Sequence, residues 1–476
     1  MKKTNRKAVE AAVDTVFGGI YNSDGHFQGV NVNVLIARYL ERHPTVCLGD
    51  ARYFRYSKRD SVWRETSLTA IKRRLRQFLH KFEPDSWSYV IDRDCSTIFP
   101  LECPKAEKLS SPEGFVNLKN GLYSLDTFSL HPHDSGVFST VQLPIKYDPE
   151  ARCPRFKAFL DQVLGGDKRL VRLMVEILGY ALSPVTQAQK FFVFTSRGCS
   201  GKSTLGNILY RLAGGSKNVS SVPLNKLNDR FSKSVMVDKV LNLNTESDSH
   251  HRFDPSTLKA IVTGDPVMIE GKGKQPYSAR ITAKQVFAVN TLPQAKDHSY
   301  AYLRRLILIN FPMTFVDDPK GPFEAKVDRN IEERLLDELP GIFNLAMRGL
   351  KRLQMNGYRF SRSEASERYL DAYMKELNPI LDFAASQVGK NDKTEVSTTE
   401  LYFSFCGWLS VNGFSKTTLP EKRRFLREFR MQLNSLRIPY TERKSGNSRY
   451  FVGIELTREA RALAKFDFSR LPFHGL

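Results

Sequence analysis

Apolar positions along this chain recur with two periods, and the places where the period changes outline its elements. Phe191 to Phe194 is an unbroken apolar run, the signature of a strand buried on both faces. Small and turn-forming residues follow from Ser196 to Cys199, and Leu205, Ile208 and Leu209 then return at helical spacing. Three further runs predict strands: KVLNLNTE from Lys239 to Glu246, KQVFAVN from Lys284 to Asn290, and LILINFP after Arg305. A short strand is expected within Asn218 to Leu224. From Lys190 to about Phe315 such strands alternate with helices or loops, the pattern of a mainly parallel sheet.

The flanks read differently. Asn5 to Phe17 is a candidate helix, and Ala51 to Trp63 reads as a hairpin turning at Ser57 to Asp60. Ser67 caps a predicted helix with Leu68, Ile71, Leu75, Phe78, Leu79 and Phe82 on one face. Gly114 to Tyr147 reads as short strands with turns, in the segments FVNLKNGLYSLD, FSLHPHD and FSTVQLPIKYD. Phe156 to Val163 and Arg169 to Leu182 predict a small helical bundle. Near the C-terminus, Thr398 to Val411 predicts a helix ended by Asn412-Gly413. Pro420 to Leu436 predicts a second helix, with Phe425, Phe429, Leu433 and Leu436 at core spacing. Ile438 to Arg443 and Arg449 to Ile454 predict a hairpin around Lys444 to Ser448. Helix, helix, then hairpin suggests a winged helix.

The strand–loop–helix at KFFVFTSRGCSGKSTLGNIL is the richest stretch chemically. N–H groups at a helix start cradle phosphate, and the helix dipole favours the anion. The loop Ser196, Arg197, Gly198, Cys199, Ser200 and Gly201, with Lys202, Ser203 and Thr204 opening the helix, is therefore the candidate triphosphate site. Lys202 would reach the terminal phosphates and the Ser203 hydroxyl would ligate Mg²⁺. The phosphate-loop motif asks for Gly where Ser196 stands, and Gly198 is the candidate source of the missing freedom. Cys199 reads as a small filler.

At 476 residues the chain has room for two to four domains, and 41% hydrophobic residues support real cores. Lys and Arg number 72 against 51 Asp and Glu, a net charge of +21 that favours an anionic partner, nucleic acid first. The six cysteines form no C-x-x-C pair, which argues against a zinc ribbon or disulfide framework and for a reducing, cytoplasmic setting. No run approaches the roughly 20 apolar residues of a membrane span.

Other residues gain meaning from position. Glu246 falls at the carboxyl end of a predicted strand, where open α/β sheets face their ligand, and could order Mg²⁺-bound water or polarise the attacking water. Asn290 ends the next strand and could hydrogen-bond that water or the terminal phosphate. Arg304 and Arg305 begin a strand; in a ring ATPase they would reach the next subunit's phosphate. Lys72, Arg73, Arg74 and Arg76 are either a solvated helix face or a DNA contact. His131 and His133 read as loop residues, because no partner stands at metal-ligand spacing. No paired aspartates support a polymerase or primase centre.

Taken in order, the phosphate loop, NTE, TGDPVMIEGKGKQPYS, VFAVNTLP and YLRRLILINFP resemble the superfamily 3 helicases, specifically the poxvirus, phage and plasmid-satellite primase–helicase group. VNLKNGLYSLDTFSLHPHD, QLPIKYDPEARCPRFKAFL and EILGYAL before the loop, and PGIFNLAMRGLKRL after it, resemble the same group. The likeness covers residues 110 to 355 well and the flanks more loosely. It implies an AAA+-type P-loop ATPase that assembles as a hexamer and draws single-stranded DNA through its pore, 3′ to 5′. Carried over, Lys202 and Ser203 bind ATP and Mg²⁺, and Glu246 is the second-motif acid, also at the metal. Asn290 is the first sensor, and the arginine finger is Arg304 or Arg305. Lys259, Gly264 and Asp265 match the element before a pore hairpin, and Lys272 and Lys274 match its basic tip. Asn244-Thr245 stand where relatives often have another acid, so Glu246 would act alone or with Asp248. The chain starts too late to hold the group's primase module.

The expected organisation is an α+β region at 1–110, helicase N-terminal strands and helical collar at 111–188, the ATPase core at 189–355 and a helical linker at 356–377. A winged-helix-like DNA-binding domain at 378–457 and a basic tail at 458–476 complete it. In that domain Arg423, Arg424, Arg427 and Lys444 are the candidate DNA contacts, suited to origin duplex. The expected function is replication of a phage, plasmid or mobile element by an ATP-dependent DNA helicase acting on single-stranded and forked DNA. A primase or polymerase on a separate chain is a candidate partner. The alternative is an ATP-switched initiator that binds DNA without robust unwinding.

Overall fold

The structure, a computed structural model, describes residues 16–49, 52–106, 114–196, 198–245, 253–273, 275–290, 292, 300–412 and 419–464. The helix expected over Asn5 to Phe17 lies almost wholly outside these residues, and Asp248 lies outside them too. Two compact units are present, one of Met1–Pro293 with Arg304–Ser366, the other of Gln294–Leu303 with Glu367–Leu476.

The first unit begins with helices packed on a four-stranded sheet. The expected hairpin is there, Arg52–Ser57 antiparallel to Val62–Thr66, joined by Thr45–Leu48 and Lys105–Ala106. Helix Leu68–Leu79 starts at Ser67, whose Oγ accepts the Ala70 N–H at 3.2 Å. It buries Ile71, Leu75, Phe78 and Leu79 against Tyr39, Cys47, Tyr53 and Phe99. Tyr39 and Phe99 come from Val32–Arg42 and Tyr89–Glu102, two helices that the apolar pattern did not single out.

Two of the three segments in Gly114–Tyr147 carry strands, Phe115–Leu118 with Gly121–Ser124 and Leu130–His131. The third, FSTVQLPIKYD, does not. Pro144 has no N–H to donate, and the backbone makes isolated bonds rather than a ladder, among them Leu143 N–H to Asn117 O at 2.8 Å, Lys119 N–H to Ile145 O at 2.9 Å and Trp63 N–H to Ser139 O at 2.7 Å. His133 Nε2 lies 2.8 Å from Leu118 O, and among the described residues no group of metal-ligating side chains occurs.

The central sheet contains β1 (Phe191–Thr195), β2 (Val219–Ser220), β3 (Leu241–Asn244), β4 (Lys284–Val289) and β5 (Leu306–Asn310). Its order is β2-β3-β4-β1-β5 and all four pairings are parallel. Every residue of β1 is buried, as the unbroken apolar run requires. Helix α1 (Lys202–Ala213) covers the sheet, placing Leu205, Ile208, Leu209 and Leu212 in the same core as Phe192 and Phe194.

The second unit runs α3 (Pro379–Gln387), β6 (Val388–Ser397), α4 (Thr398–Val411), α5 (Lys422–Ser435), β7 (Thr441–Ser445) and β8 (Ser448–Leu456), and the expected basic tail begins as a helix, Arg458–Ala464, that buries Ala460 in the same core. Its sheet has the order β6-β8-β7. The apolar pattern gave no sign of the charged β6; only Val388 and Val396 of its ten residues are buried, too few to show a period. Phe383, Phe405, Phe425, Phe429 and Phe451 form the core. Among the described residues, no helix is long and apolar enough to cross a membrane.

Candidate nucleotide site and nucleic-acid surfaces

Parallel strands point one way, so the order β3-β4-β1 sets three carboxyl ends side by side. Ligands of open α/β sheets bind at that edge. The segment leaving β1 is a loop of left-handed residues: Gly198 at φ 117°, Cys199 at 43° and Gly201 at 79°. Phe315 N–H to Cys199 O, 2.7 Å, ties the loop down. A Cβ on Gly201 would stand 2.6 Å from Val163 Cγ1, so the helix Pro154–Val163 packs too closely for any other residue there. This long-range buttress had no local sequence signal.

Helix α1 follows with no side chain capping its start. Its first N–H groups therefore lack intrahelical partners, the condition for holding an anion. Ser200 Oγ is buried beside them and has no hydrogen-bond partner among the described residues. Ser203 is exposed and Thr204 half-buried. Ser196, where the motif expects glycine, is buried, and its Oγ accepts the Gly198 N–H at 3.4 Å. The substitution thus supports the loop. A triphosphate fits this donor set: uncapped N–H groups, two serine hydroxyls and a lysine.

Lys202 is only 7% exposed and its Nζ donates to Val289 O at 2.6 Å and to Asn290 Oδ1 at 3.0 Å. Burial pulls its ammonium below the usual lysine range. Asn290, exposed just past β4, is thereby brought to the phosphate-loop lysine. A Cβ on Gly206 would lie 3.6 Å from Thr245 Cγ2, so the end of β3 runs beside α1. Arg197 and Glu246 lie outside the described residues.

Arg304 and Arg305 lie elsewhere. Leu306 pairs with Phe191, which sets both arginines at the amino edge of the sheet, one strand length from Lys202, about 16 Å at 3.3 Å per residue. Arg304 is exposed; Arg305 is 9% exposed, with burial pulling its guanidinium down and Asp265 opposing that. Neither is brought to the loop of its own chain.

Helix α2 (Ser256–Thr263) carries half-buried Lys259 and ends at Gly264, φ 75°, with Asp265 accepting from Thr263 Oγ1. A hairpin follows, Val267–Ile269 antiparallel to Tyr277–Ala279. Lys272 is exposed at its tip; Lys274 lies outside the described residues. The tip end of its two strands is held: Arg230 Nε to Glu270 Oε2 is 2.5 Å, and the Arg52 guanidinium lies 4.1 Å over the Tyr277 ring. Both contacts join distant segments and leave no trace in local pattern.

In the second unit Arg423, Arg424 and Arg427 are exposed along α5, with Arg424 paired to Glu428 at 2.8 Å. Arg430 is engaged internally by Glu442, at 2.6 Å, and Lys422 by Thr399 Oγ1, at 2.8 Å. Lys444 is exposed and stands opposite Arg449 near the tip of the β7–β8 hairpin. In the first unit, Lys72 is likewise engaged, by Asp92 at 2.7 Å and Ser96 at 2.9 Å.

Comparison with known proteins fits this arrangement. A family model described as "D5 N terminal like" matches residues 33–165, reaching upstream of the helicase-like stretch into the N-terminal region. A model of a family of unknown function (DUF5906) matches residues 194–305, the phosphate loop through Arg305. The chain is 22% identical over 327 residues to "Putative helicase L207/L206" of Acanthamoeba polyphaga mimivirus. That match covers 63% of this chain and 33% of the mimivirus protein, so the chain spans about a third of its relative's length. Two solved apo structures of the NrS-1 C-terminal region share the fold, at TM-scores of 0.51 and 0.50 and 12% identity. Each likeness covers 89% of this chain and 100% of the other. Together, these are likenesses to a D5-type N-terminal region and to a putative viral helicase.

Proposed function

We propose that the chain is an ATP-dependent DNA helicase of AAA+ type, the motor of a viral, phage or plasmid replication system. The observation that carries this reading is the left-handed loop opening onto the uncapped start of α1, with Lys202 and Asn290 hydrogen-bonded at the same sheet edge. The N–H groups of the loop, Ser200 and Lys202 hold the triphosphate, and Ser203 and Glu246 hold Mg²⁺. Bound Mg²⁺ supplies charge neutralisation at the phosphoryl group being transferred. Asn290 orients the attacking water and exchanges its bond to Lys202 for that role. Glu246 takes the water's proton.

Because Arg304 and Arg305 immediately precede β5 at the opposite edge, a finger from this pair serves the loop of a neighbouring copy. That requirement supports the ring expected from the superfamily 3 resemblance, a hexamer moving 3′ to 5′. Lys272 and Lys274 on the braced hairpin contact the phosphate backbone of the strand in the pore. The helix–strand–helix–helix–strand–strand order of the second unit supports a winged helix, with α5 and the Lys444 hairpin as its duplex-binding surface. ATP hydrolysis by the purified protein, measured with and without single-stranded DNA, tests the reading. Stimulation by DNA that Lys202→Ala abolishes supports it; hydrolysis indifferent to both contradicts it.

A further inference from the structure

The hairpin Val267–Ile269/Tyr277–Ala279 turns one face toward the body of the protein. Ile269 stands opposite Tyr277 on the last rung before the tip; Ile269 is buried and Tyr277 half-buried. Met268 and Ser278, the next rung, are exposed on the other face, as strand alternation requires. Gly271 and Gly273 flank Lys272 in the tip and leave its backbone many conformations. A two-stranded hairpin with strands of 3 residues is marginal on its own. Something outside it must order the tip.

The entering strand is tied by Arg230 to Glu270, the leaving strand by Arg52 over Tyr277. Arg52 comes from the N-terminal sheet, and its guanidinium is itself aligned. Nε donates to Glu65 Oε1 at 3.2 Å, and the group lies 5.2 Å from the centre of the Phe54 ring. The sheet presenting it is fixed to the central sheet. Phe54 and Trp63 pack on Phe138, with ring centres 5.5 and 5.1 Å apart. Trp63 N–H donates to Ser139 O at 2.7 Å, and Thr140 Oγ1 donates to Asp238 Oδ1 at 3.0 Å, just before β3. The Arg52 guanidinium is therefore offered from a platform, and the Tyr277 ring rests on it.

We propose that Arg52 is a positioning residue for the hairpin tip: held by Glu65, it fixes Tyr277 and so presents Lys272 to the DNA backbone. The N-terminal region thereby takes part in engaging DNA. The DNA role of the tip rests on the proposed function; the brace rests on the contacts alone. Arginine suits this post better than lysine, because its edge pairs with a carboxylate while its face covers a ring. A tip ordered in advance loses less freedom on binding, so loss of the brace shows in the DNA requirement rather than in basal hydrolysis.

Hydrogen exchange and ATP hydrolysis by the full chain, titrated with a 30-nucleotide oligothymidine, test this. Arg52→Met and Tyr277→Leu remove the contact from either side. In each, amides of residues 267–279 should exchange about tenfold faster, and the DNA needed for half-maximal stimulation should rise about fivefold. Exchange in Phe191–Thr195, basal hydrolysis and KM for ATP should stay as in the wild type, which separates a lost brace from misfolding. Tyr277→Phe keeps the ring and should match the wild type; Arg52→Lys keeps the charge and should fall between. The Arg52→Met/Tyr277→Leu double variant should be little worse than either single one, because both break one contact. Unchanged exchange in the hairpin, or additive effects, overturn the brace. Faster exchange with an unchanged DNA requirement overturns the positioning role. Wild-type hydrolysis that ignores DNA contradicts the helicase reading instead, and the exchange rates still decide the brace.

Discussion

Lys202 Nζ lies 3.0 Å from Asn290 Oδ1, so the phosphate-loop lysine and the residue just past β4 are joined directly. The bond and the Val289 carbonyl hold a buried ammonium that would otherwise lack acceptors. Asn290→Ala should lower the ATPase rate by on the order of 100-fold, through loss of the amide that orients the attacking water, while leaving nucleotide affinity within a few-fold. Asn290→Asp should instead weaken nucleotide binding, because a carboxylate competes with the triphosphate for Lys202. Titration with a fluorescent ATP analogue, beside steady-state turnover, separates the two variants.

Gly201 and Gly198 both have positive φ, but only Gly201 faces a neighbour. Gly198→Ala meets nothing within 4 Å and carries backbone strain alone, about 1 kcal/mol. Gly201→Ala adds a clash with Val163 and should cost clearly more, lowering the melting midpoint and nucleotide affinity together. Differential scanning fluorimetry of the two variants checks the ranking; equal midpoints would contradict the packing of Val163 beneath the loop.

Lys284 begins β4 fully buried, with Nζ donating to Thr282 O at 2.8 Å and lying 5.1 Å from the centre of the Tyr180 ring. Burial pushes its pKa down to about 7, from an ordinary value of 10.5. The unfolded chain thus holds a proton between those values that the folded chain has released. Stability rises with pH across this window, and the cost of burying the charge is felt in full below about 7. Lys284→Met should melt above the wild type at pH 6.5, by roughly 2–4 °C for about 2 kcal/mol, with the gap closing toward pH 10.

The arginines of α5 divide into two classes. Arg423 and Arg427 are exposed, whereas Arg430 is held by Glu442. Glutamine at 423 and 427 should weaken duplex binding and reduce its salt dependence without changing the melting midpoint. Glutamine at 430 should loosen the hairpin carrying Lys444 and move the midpoint more than the affinity.

Much of the central sheet was legible because buried parallel strands are unbroken apolar runs: Phe191–Phe194 and the residues before Asn290 announce themselves. The loop was legible through its glycines and its lysine. What the chain order could not convey were contacts across long separations. Val163 under Gly201 and Arg52 over Tyr277 depend on packing between distant segments. One reading from pattern needed correction and one strand was missed. FSTVQLPIKYD has strand-like composition, but its proline denies it a ladder; β6, for which pattern gave no reading, forms a strand with almost no apolar signal. Basic residues are the least legible class, since Lys72 and Arg430 look like Arg73 and Arg427 until their partners are seen.

The central claim is that ATP hydrolysis at Lys202 drives DNA strand separation. Its most direct test is unwinding of a forked duplex by the purified protein, run beside Lys202→Ala and the Lys272→Ala/Lys274→Ala double variant. The account predicts ATP-dependent unwinding that is abolished in both variants, with basal hydrolysis retained only in the lysine-tip variant. ATP binding by an oligomeric wild type that separates no strands, or a tip variant that unwinds normally, would contradict it; the first result would point to a nucleotide-switched initiator instead.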